Sequence, residues 1–323
     1  MLSTVADQES VSNIIKVAAG VVQNSAGDIL ITKRHVNAHQ GGLWEFPGGK
    51  FERQESSFRC LQRELREEVG LDITVAEPLI QIPYQYPDKQ VLLDVLRVTA
   101  YTGQASGREG QALRWVSPLQ LSNFEFPAAN RPVITAIHLP ETYLITGAYT
   151  SLEDFSERLL RALKQGCRLL QIRANDLDTQ SLSKLVITAA SIAKQYDARI
   201  LVNADPEFVS DWPVHGVHLN SHRLLQMQQR PAGFDWVAAS VHDAIQLKHA
   251  QAIGIDFAVL SPVLATTSHP HAVPIGWSTF AGLVAQAQIP IYALGGMGLE
   301  HIAQARQHGA QGIAAISQFW SGA

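Results

Sequence analysis

The chain has 323 residues, more than a single compact core normally uses, so its length predicts two domains. Its formal net charge of −4 is spread without a basic tract, which argues against a protein that coats duplex DNA through its phosphates. The sequence has only two cysteines, which lack metal-ligand spacing, and it shows no secretory signal, so we predict a protein of the reducing cytoplasm. It also has no apolar run of about 18 residues, so we expect no membrane span.

The first strongly patterned segment covers residues 49–71. Apolar residues recur in it at the spacing of one helix face, at Phe58, Leu61, Leu65 and Val69. This spacing predicts an amphipathic helix. Gly70 stands where a glycine C-cap would end that helix.

Three glutamates share another face of the predicted helix. A rotation of about 100° per residue brings Glu64, Glu67 and Glu68 together. A solvated acidic patch is the plainer interpretation. However, like charges at these spacings repel and carboxylates in a last turn oppose the helix dipole, and such a broken local rule is typical of a functional site. Because hard oxygen ligands suit magnesium, with manganese as the alternative, we predict a divalent-metal site here.

The same segment resembles the Nudix box. The matching positions are Gly49, Glu55, Arg63, Glu64, Glu67, Glu68, Gly70 and Leu71. In that family a loop-helix-loop holds magnesium between substrate phosphates and cleaves a nucleoside diphosphate linked to another group. The resemblance implies that Gly48, Glu64, Glu67 and Glu68 hold the metal, while Glu55 and Arg63 orient the loop.

Residues 17–140 are similar as a whole to the MutT branch of this family, the 8-oxo-dGTP diphosphatases. The shared motifs are ITKR at 31–34, WEFPGGK at 44–50, YPD at 86–88 and FPAANRP at 126–132. The resemblance assigns Arg34 to the substrate phosphates and Glu109 to the metal or its water. The implied nucleotide-pocket residues are His39, Glu45, Phe46, Pro47, Gly48 and Asn130. Asn130 would hydrogen-bond the oxidised purine edge, although without its motif it reads as a turn residue.

Hydrolysis of 8-oxo-dGTP to the monophosphate and pyrophosphate is the activity that this resemblance implies, and it would sanitise the nucleotide pool and prevent mutation. Bound metal would neutralise the triphosphate and help to generate hydroxide near neutral pH. Glu64, Glu68 and Glu109 are the candidates for the base that takes the proton from water. The partners are then small molecules and not nucleic acid, and the oligomeric state stays open.

A domain boundary is predicted near Pro140, which divides the chain into residues 1–138 and 139–323. A short amphipathic helix at 133–138 precedes it. After it, eight short apolar runs alternate with amphipathic segments, at 143–147, 169–173, 200–204, 216–220, 237–241, 257–263, 291–296 and 312–317. This alternation predicts a (β/α)8 barrel.

The predicted fold class is therefore α/β, with an N-terminal α/β/α sandwich around a mixed sheet and a C-terminal TIM-type barrel. Only residues 318–323 follow the eighth run, so the last helix is shortened or missing. A shortened helix would weaken closure of the barrel, or it would leave room for the first domain to cover the gap.

The second half resembles the thiamine phosphate synthases and their TenI-type relatives, the thiazole tautomerases. The motifs are QIR at 171–173, VN at 202–203, GVHL at 216–219, SVH at 240–242, SPV at 261–263 and ALGGM at 293–297. The barrel phosphate would be bound by Arg173, Gly295, Gly296 and Ser317, in keeping with the loops that follow the seventh and eighth strands of such barrels. A tight turn is the plainer interpretation of the glycine pair.

Departures from the synthase pattern occur at three positions: Asn175 replaces a lysine, while Ala204 and Arg223 replace acidic residues. Without the acidic pair, magnesium-assisted departure of pyrophosphate is not expected. His242 fits the tautomerase, because a histidine at a strand end can move protons near neutral pH. A helix-capping role beside Asp243 is the alternative.

Several functions therefore stay open. The barrel is a thiazole phosphate tautomerase, a residual synthase, or a pseudo-enzyme that binds a phosphorylated thiazole or pyrimidine. For the first domain, a pyrophosphatase of damaged thiamine-pathway intermediates and a non-catalytic nucleotide sensor are the alternatives to the 8-oxo-dGTP diphosphatase.

Overall fold

The computed structural model describes residues 14–174, 176–266 and 271–320. In its N-terminal half the strands are β1 (Ile15–Val22), β2 (Ile29–Lys33), β3 (Trp44–Glu45), β4 (Gly48–Lys50), β5 (Asp72–Gln85), β6 (Gln90–Thr102) and β7 (Leu113–Val116). The helices of this half are α1 (Ser57–Val69) and α2 (Arg131–His138), with 3-10 turns at Pro118–Asn123 and Ala128–Asn130.

The N-terminal strands form two sheets. The larger has the order β4-β1-β6-β5, in which β1 and β6 run parallel and the other neighbours run antiparallel. The smaller has the order β3-β2-β7 and is antiparallel. The predicted mixed sheet is therefore confirmed.

Helix α1 follows the apolar spacing of its sequence. Ser56 caps its first turn by accepting a hydrogen bond from the Arg59 N–H at 3.3 Å. Leu61, Leu65 and Val69 are fully buried against β1 and β6, so the opposite face stays free for polar residues. Gly70 ends the helix with φ +74°, as predicted, because this left-handed conformation suits glycine.

The C-terminal half is a closed barrel of eight parallel strands. They are β8 (Thr142–Ile145), β9 (Leu169–Ile172), β10 (Arg199–Val202), β11 (Gly216–Leu219), β12 (Trp236–Val241), β13 (Phe257–Leu260), β14 (Ile291–Ala293) and β15 (Gly312–Ala315). The helices are α3 (Leu152–Lys164), α4 (Thr179–Lys194), α5 (Pro206–Val209), α6 (Ser221–Gln226), α7 (Ala244–Ala252), α8 (Gly276–Val284), α9 (Ile302–Gln307) and α10 (Ser317–Trp320). All eight predicted strands are confirmed.

Alternate residues of the strands divide between two cores. Side chains such as Tyr143, Phe257 and Tyr292 fill the inside of the barrel, with ring centroids 5.5 to 5.7 Å apart. Their neighbours in sequence, such as Leu144 and Ala258, pack outward against the helices. This alternation directs every second residue at the end of a strand into the barrel mouth.

The short last helix does not open the barrel. Strand β15 pairs with β8, and α10 lies against α3, where Trp320 packs on Phe155 with ring centroids 5.1 Å apart. The Trp320 indole N–H donates to the Ala148 carbonyl at 3.0 Å. The expectation of weakened closure is therefore wrong, and α10, packed against α3 and β8, fills the gap that the first domain was the alternative to cover.

The first domain meets the barrel at the end where its strands begin. Arg306 of α9 donates to the Pro78 carbonyl at 2.9 Å and lies 3.8 Å from the Glu77 carboxylate. Gln311, directly before β15, donates to the Ala136 carbonyl at 3.1 Å. The barrel mouth, at the opposite ends of the strands, is left clear of the first domain. In the described part of the chain, no helix is long and apolar enough to cross a membrane.

Candidate functional site

The acidic face of α1 lies against the glycine turn of β4. A β-carbon at Gly49 would lie 2.2 Å from the Glu64 carboxyl carbon, and one at Gly48 would lie 2.1 Å from the Ala18 carbonyl oxygen. The Gly48 N–H donates to Glu68 Oε2 at 3.3 Å. The β1 backbone therefore requires glycine at position 48, whereas a side chain at position 49 would displace the carboxylate of Glu64.

Glu68 is the electrostatic centre of this face. Burial raises the pKa of its carboxyl group to about 8, and the negative charges of Glu45, Glu64 and Glu109 add to the shift. Glu109 comes from a distant loop that wraps the end of α1, because the Arg108 N–H donates to the Glu68 carbonyl at 2.9 Å. The fold thus collects four carboxylates from separate segments.

Arg63 organises the outer part of the acidic face. It makes a two-point hydrogen bond with Glu55, at 2.9 and 3.0 Å, and also reaches Glu64 at 2.7 Å and Glu67 at 3.4 Å. The hydrogen bond from Arg63 and one from the backbone of Glu52 lower the pKa of Glu55 to about 2. Glu67 is exposed, so it lies at the solvent side of the face.

A divalent cation fits the charge and chemistry of this face, since it would offset the repulsion among the clustered carboxylates and since hard oxygen donors suit magnesium. The side chains are not gathered into a finished site. Within the described ranges, no three His, Cys, Asp or Glu side chains are arranged to hold a metal ion. Glu64 and Glu67 are instead turned toward Arg63, and they would have to leave it to bind metal.

The polar residues predicted for the nucleotide pocket and the substrate phosphates include Arg34, His39 and Glu45. Arg34 forms an ion pair with Glu45, and burial raises the pKa of Glu45 while the pair with Arg34 opposes the rise. His39 is exposed and packs edge-on against Tyr86, with ring centroids 5.0 Å apart. The charge of Arg34 is therefore shared with Glu45, beside the acidic face.

Phe46 and Pro47 are buried, and Phe46 is only 2% exposed because it stacks on Phe126 in the core. These two side chains support the loop from within. Asn130 is 8% exposed, makes no side-chain cap for α2, and has no side-chain hydrogen bond to any described residue. The backbone of Asn130 lies in the 3-10 turn Ala128–Asn130, as the turn interpretation expects, but its side-chain amide makes no hydrogen bond in that turn. The ligand-binding role of Asn130 stays a prediction.

The barrel mouth holds a cavity of about 870 Å³. Its lining includes every barrel residue predicted for the site, namely Arg173, His242, Gly295, Gly296 and Ser317. The Arg173 side chain has no hydrogen-bond or ion-pair partner among the described residues. A cation without a partner in a concave site suits an anionic ligand.

His242 points into this cavity with a defined ring orientation. Its Nδ1 lies 2.8 Å from the Ser261 carbonyl oxygen, which only accepts hydrogen bonds, so Nδ1 carries the proton and Nε2 keeps a lone pair. The N-cap of α7 is Asp243, whose side chain accepts from the Gln246 N–H at 2.8 Å. His242 is thus not the helix cap, and its Nε2 is available as a base.

The glycine pair has a packing role of its own. Gly295 and Gly296 have φ +102° and +65°, and a β-carbon on Gly296 would lie 2.6 Å from the Ala265 carbonyl oxygen. The loop after β13 therefore requires glycine here whether or not phosphate binds. The phosphate role of these residues stays a prediction.

Several polar residues of the mouth were missed as site residues. Gln171, Asn203 and Ser240 also line the cavity. Their signal was present in sequence, since each is a polar residue at or directly beyond the end of an apolar strand. Of the departures from the synthase pattern, Ala204 is buried, Arg223 donates to Asn203 Oδ1 at 3.0 Å, and Asn175 lies outside the described residues.

Comparison with known proteins places both halves. A family model described as NUDIX domain matches residues 18–136, and one described as Thiamine monophosphate synthase matches residues 142–319. The 8-oxo-dGTP diphosphatase of Escherichia coli is 36% identical over 123 residues, which are 38% of this chain and 95% of the relative. The CTP pyrophosphohydrolase of the same organism is 35% identical, over 38% of this chain and 90% of the relative.

For the barrel, a protein of Aquifex aeolicus that is assigned by name to the thiamine-phosphate synthases is 35% identical over 184 residues. These residues make up 57% of this chain and 99% of that relative. The chain therefore belongs to the Nudix hydrolases through its N-terminal half and to the thiamine monophosphate synthase family through its barrel.

Proposed function

We propose that the N-terminal half hydrolyses 8-oxo-dGTP and related oxidised purine nucleoside triphosphates to the monophosphate and pyrophosphate, in a magnesium-dependent reaction that cleans the nucleotide pool. The observation that carries this proposal is the carboxyl group of Glu68, half-buried against the Gly48 turn and surrounded by acidic residues. The Escherichia coli relative named for this activity supports the substrate, with 36% identity across 95% of its length.

Glu64, Glu67, Glu68 and Gly48 would hold the metal, which when bound would neutralise phosphate oxygens and acidify water. Hydrolysis forms a bond from the water oxygen to phosphorus and breaks the phosphoanhydride bond to the leaving group. Glu68, whose carboxyl group lies at the centre of the acidic face beside the Gly48 turn, is one candidate to accept the proton of that water. Glu64 and Glu109 lie close enough to Glu68 to influence it electrostatically and are the other candidates for this base.

Asn130 is proposed to select the base. Its amide offers one acceptor and two donors, and no described residue uses them. Oxidation at C8 converts guanine N7 from a hydrogen-bond acceptor into an N–H donor, so an Asn130 amide that presents its oxygen there would pair with 8-oxoguanine and not with guanine. The similar identity to a CTP pyrophosphohydrolase makes the base the point that most needs a direct test.

The test is pyrophosphate release with magnesium from 8-oxo-dGTP, dGTP, CTP and hydroxymethylpyrimidine diphosphate. We expect the highest kcat/KM for 8-oxo-dGTP, and we expect Asn130→Ala to reduce its advantage over dGTP about tenfold or more. Asn123→Ala, an exposed asparagine of the same domain, is the matched control and should keep the preference. A preference for CTP would reject the oxidised-purine assignment.

A thiamine-pathway pyrophosphatase is the second candidate, and the covalent fusion to the barrel is the observation that favours it. The same assay separates the two candidates. Preference for hydroxymethylpyrimidine diphosphate, unaffected by Asn130→Ala, would make the N-terminal half a thiamine-pathway enzyme.

For the barrel we propose a metal-free site that binds a phosphorylated small molecule and moves a proton within it, as in a thiazole phosphate tautomerase. Arg173 supplies an unpartnered cation to the cavity, and His242 supplies a base whose ring is held by Ser261. The Gly295–Gly296 turn and Ser317 complete the proposed phosphate site.

Binding of inorganic phosphate to the full chain, followed by calorimetry, tests the anion site. Arg173→Met should weaken binding by about tenfold or more, because the hydrogen bonds of a cation to phosphate are stronger than those of neutral donors. Lys194→Met removes a positive charge from the exposed end of α4 and should leave binding unchanged. Equal binding by all three proteins would place the anion elsewhere.

A further inference from the structure

The polar side chains at the barrel mouth form one continuous hydrogen-bonded chain. It begins at Arg223 of α6, whose Nη1 donates to Asn203 Oδ1 at 3.0 Å. Asn203 Nδ2 in turn donates to Gln171 Oε1 at 3.2 Å. Because a guanidinium only donates, Arg223 fixes the orientation of the Asn203 amide, and Asn203 fixes that of Gln171.

The same direction continues below the cavity floor. Gln171 Nε2 donates to the Tyr143 hydroxyl at 3.4 Å, and this hydroxyl lies 3.2 Å from His218 Nδ1. Because the Tyr143 oxygen already accepts a hydrogen bond from Gln171, its own proton goes to His218 Nδ1. His218 therefore carries its proton on Nε2, which lies 2.8 Å from the Ser240 hydroxyl oxygen.

The chain needs His218 to stay neutral, and its surroundings ensure this. His218 is 1% exposed, and burial, helped by the positive charge of Arg173, lowers its pKa to about 3. Neutral His218 can donate only through Nε2 while it accepts at Nδ1. Each link in the chain thus has one direction, from Arg223 to Ser240.

The end of the chain faces the ligand cavity. Ser240 lines that cavity, and its oxygen accepts from His218, so its own proton has no partner among the described residues. Ser240 lies in β12 and His242 directly follows the last residue of that strand, so the two side chains point to the same side of the extended backbone, roughly 7 Å apart. One residue presents a donor and the other a lone pair to the same ligand.

We propose that Ser240 is the hydrogen-bond donor of the barrel site, held in this role by the chain from Arg223, and that it pairs with His242 as donor and base for proton transfer. The ligand class is a phosphorylated small molecule with a lone-pair acceptor, such as a ring nitrogen or carbonyl, beside an acidic C–H. This inference rests on the proposed anion-binding function of the barrel.

The proposed reaction is a proton shift within one molecule. His242 Nε2 takes the proton from carbon, the C–H electron pair moves toward the acceptor atom held by Ser240, and the protonated His242 returns the proton at a second atom. No oxidant, reductant or co-substrate is consumed. Arg223 is a positioning residue, since it acts on the ligand only through the chain.

The direction of the hydrogen bonds from Arg223 to Ser240 is tested by nitrogen-15 NMR of the histidines in the full-length protein. We expect His218 in the Nε2–H tautomer, identified as the resonance lost in His218→Asn. Arg223→Met should produce a tautomer mixture, and Arg223→Lys, which keeps a donor cation, should restore the single form. The Nδ1–H tautomer in the unmodified protein would overturn the proposal, whatever the ligand.

The donor role is tested with two phosphate esters, 2-(thiazol-5-yl)ethyl phosphate and 2-(thiophen-2-yl)ethyl phosphate, which differ in the acceptor nitrogen. We expect the thiazole to bind about tenfold more tightly, and Ser240→Ala to remove the difference without weakening the thiophene. Equal binding of both esters by the unmodified protein would overturn the Ser240 assignment while the anion site stands. Failure of both esters and of inorganic phosphate to bind would reject the barrel function itself.

Discussion

The two sites of this chain handle charge in opposite ways. On α1, the carboxylates of Glu64 and Glu68 are brought together with Glu45 and Glu109, and burial, together with this repulsion, raises the pKa of Glu68. At the barrel mouth, the cavity is lined by the unpartnered Arg173 and by polar residues linked to Arg223, and Glu300 is the one acidic residue among the described residues that line it. One site therefore calls for a cation and the other for an anion.

This difference also separates the chemistry of the two halves. A bound cation is suited to phosphate hydrolysis because it offsets the negative charge of the substrate phosphates and that of the glutamates that bind it. A neutral donor and a histidine base are suited to moving a proton in a ligand whose phosphate is held apart. The first domain adjoins the starting end of the barrel strands, and no described residue of that domain lines the barrel cavity.

The largest expected effect is on hydrolysis. Glu68→Gln removes the central carboxylate of the acidic face while keeping its size and one hydrogen-bond acceptor. We expect kcat/KM for 8-oxo-dGTP to fall by about three orders of magnitude, with circular dichroism unchanged. Glu125→Gln, an exposed glutamate of the same domain, should keep full activity. Near-normal turnover by Glu68→Gln would remove Glu68 from the site.

A smaller effect is expected from Arg63→Lys. Lysine keeps the charge but loses the two-point hydrogen bond to Glu55, so Glu64 and the preceding loop lose their common support. We expect hydrolysis to fall by about 10- to 100-fold. Arg66→Lys is the matched control, because Arg66 lies on the same helix and forms an exposed ion pair with Asp72. Equal activity of both variants would mean that Arg63 does not orient the site.

The buried, neutral His218 should make the stability of the barrel depend on pH. His218 has an ordinary pKa of 6.5 when unfolded and about 3 when folded, so the folded state binds fewer protons between these values. Its contribution to stability is complete above pH 6.5 and is lost as pH falls toward 3, at up to about 1.4 kcal/mol per pH unit.

Urea unfolding of the barrel at about pH 4 and about pH 7 measures this effect. Against His222→Gln, an exposed control, the His218→Asn protein should show a smaller loss of stability on acidification. If both variants lose the same stability on acidification, His218 is not the buried neutral group that the hydrogen-bonded chain from Arg223 to Ser240 requires.

Local patterns predicted the elements of both halves. The spacing of Leu61, Leu65 and Val69 and the glycine at 70 are short-range signals, and α1 follows them residue by residue. The apolar runs predicted every barrel strand, but in seven of the eight the C-terminal end was set too late; the exception is β12, which ends at Val241 as predicted. Strand β8 ends at Ile145 because the polar and glycine residues beyond it leave the sheet for the mouth.

The sites were harder to predict because they depend on contacts between distant segments. The approach of Glu109 to Glu68 follows from a loop wrapped on the end of α1, and only the family resemblance indicated it. The burial of Phe46 depends on Phe126, 80 positions later. The link from Tyr143 to His218 needs the register of the closed barrel, which no single segment contains.

Binding of manganese(II), followed by electron paramagnetic resonance, tests most directly the claim that metal chemistry belongs to the N-terminal half and not to the barrel. The full chain should bind manganese, and Glu68→Gln should weaken that binding strongly while Arg173→Met and Ser240→Ala leave it unchanged. Manganese binding that survives Glu68→Gln but is altered by the barrel variants would contradict the account.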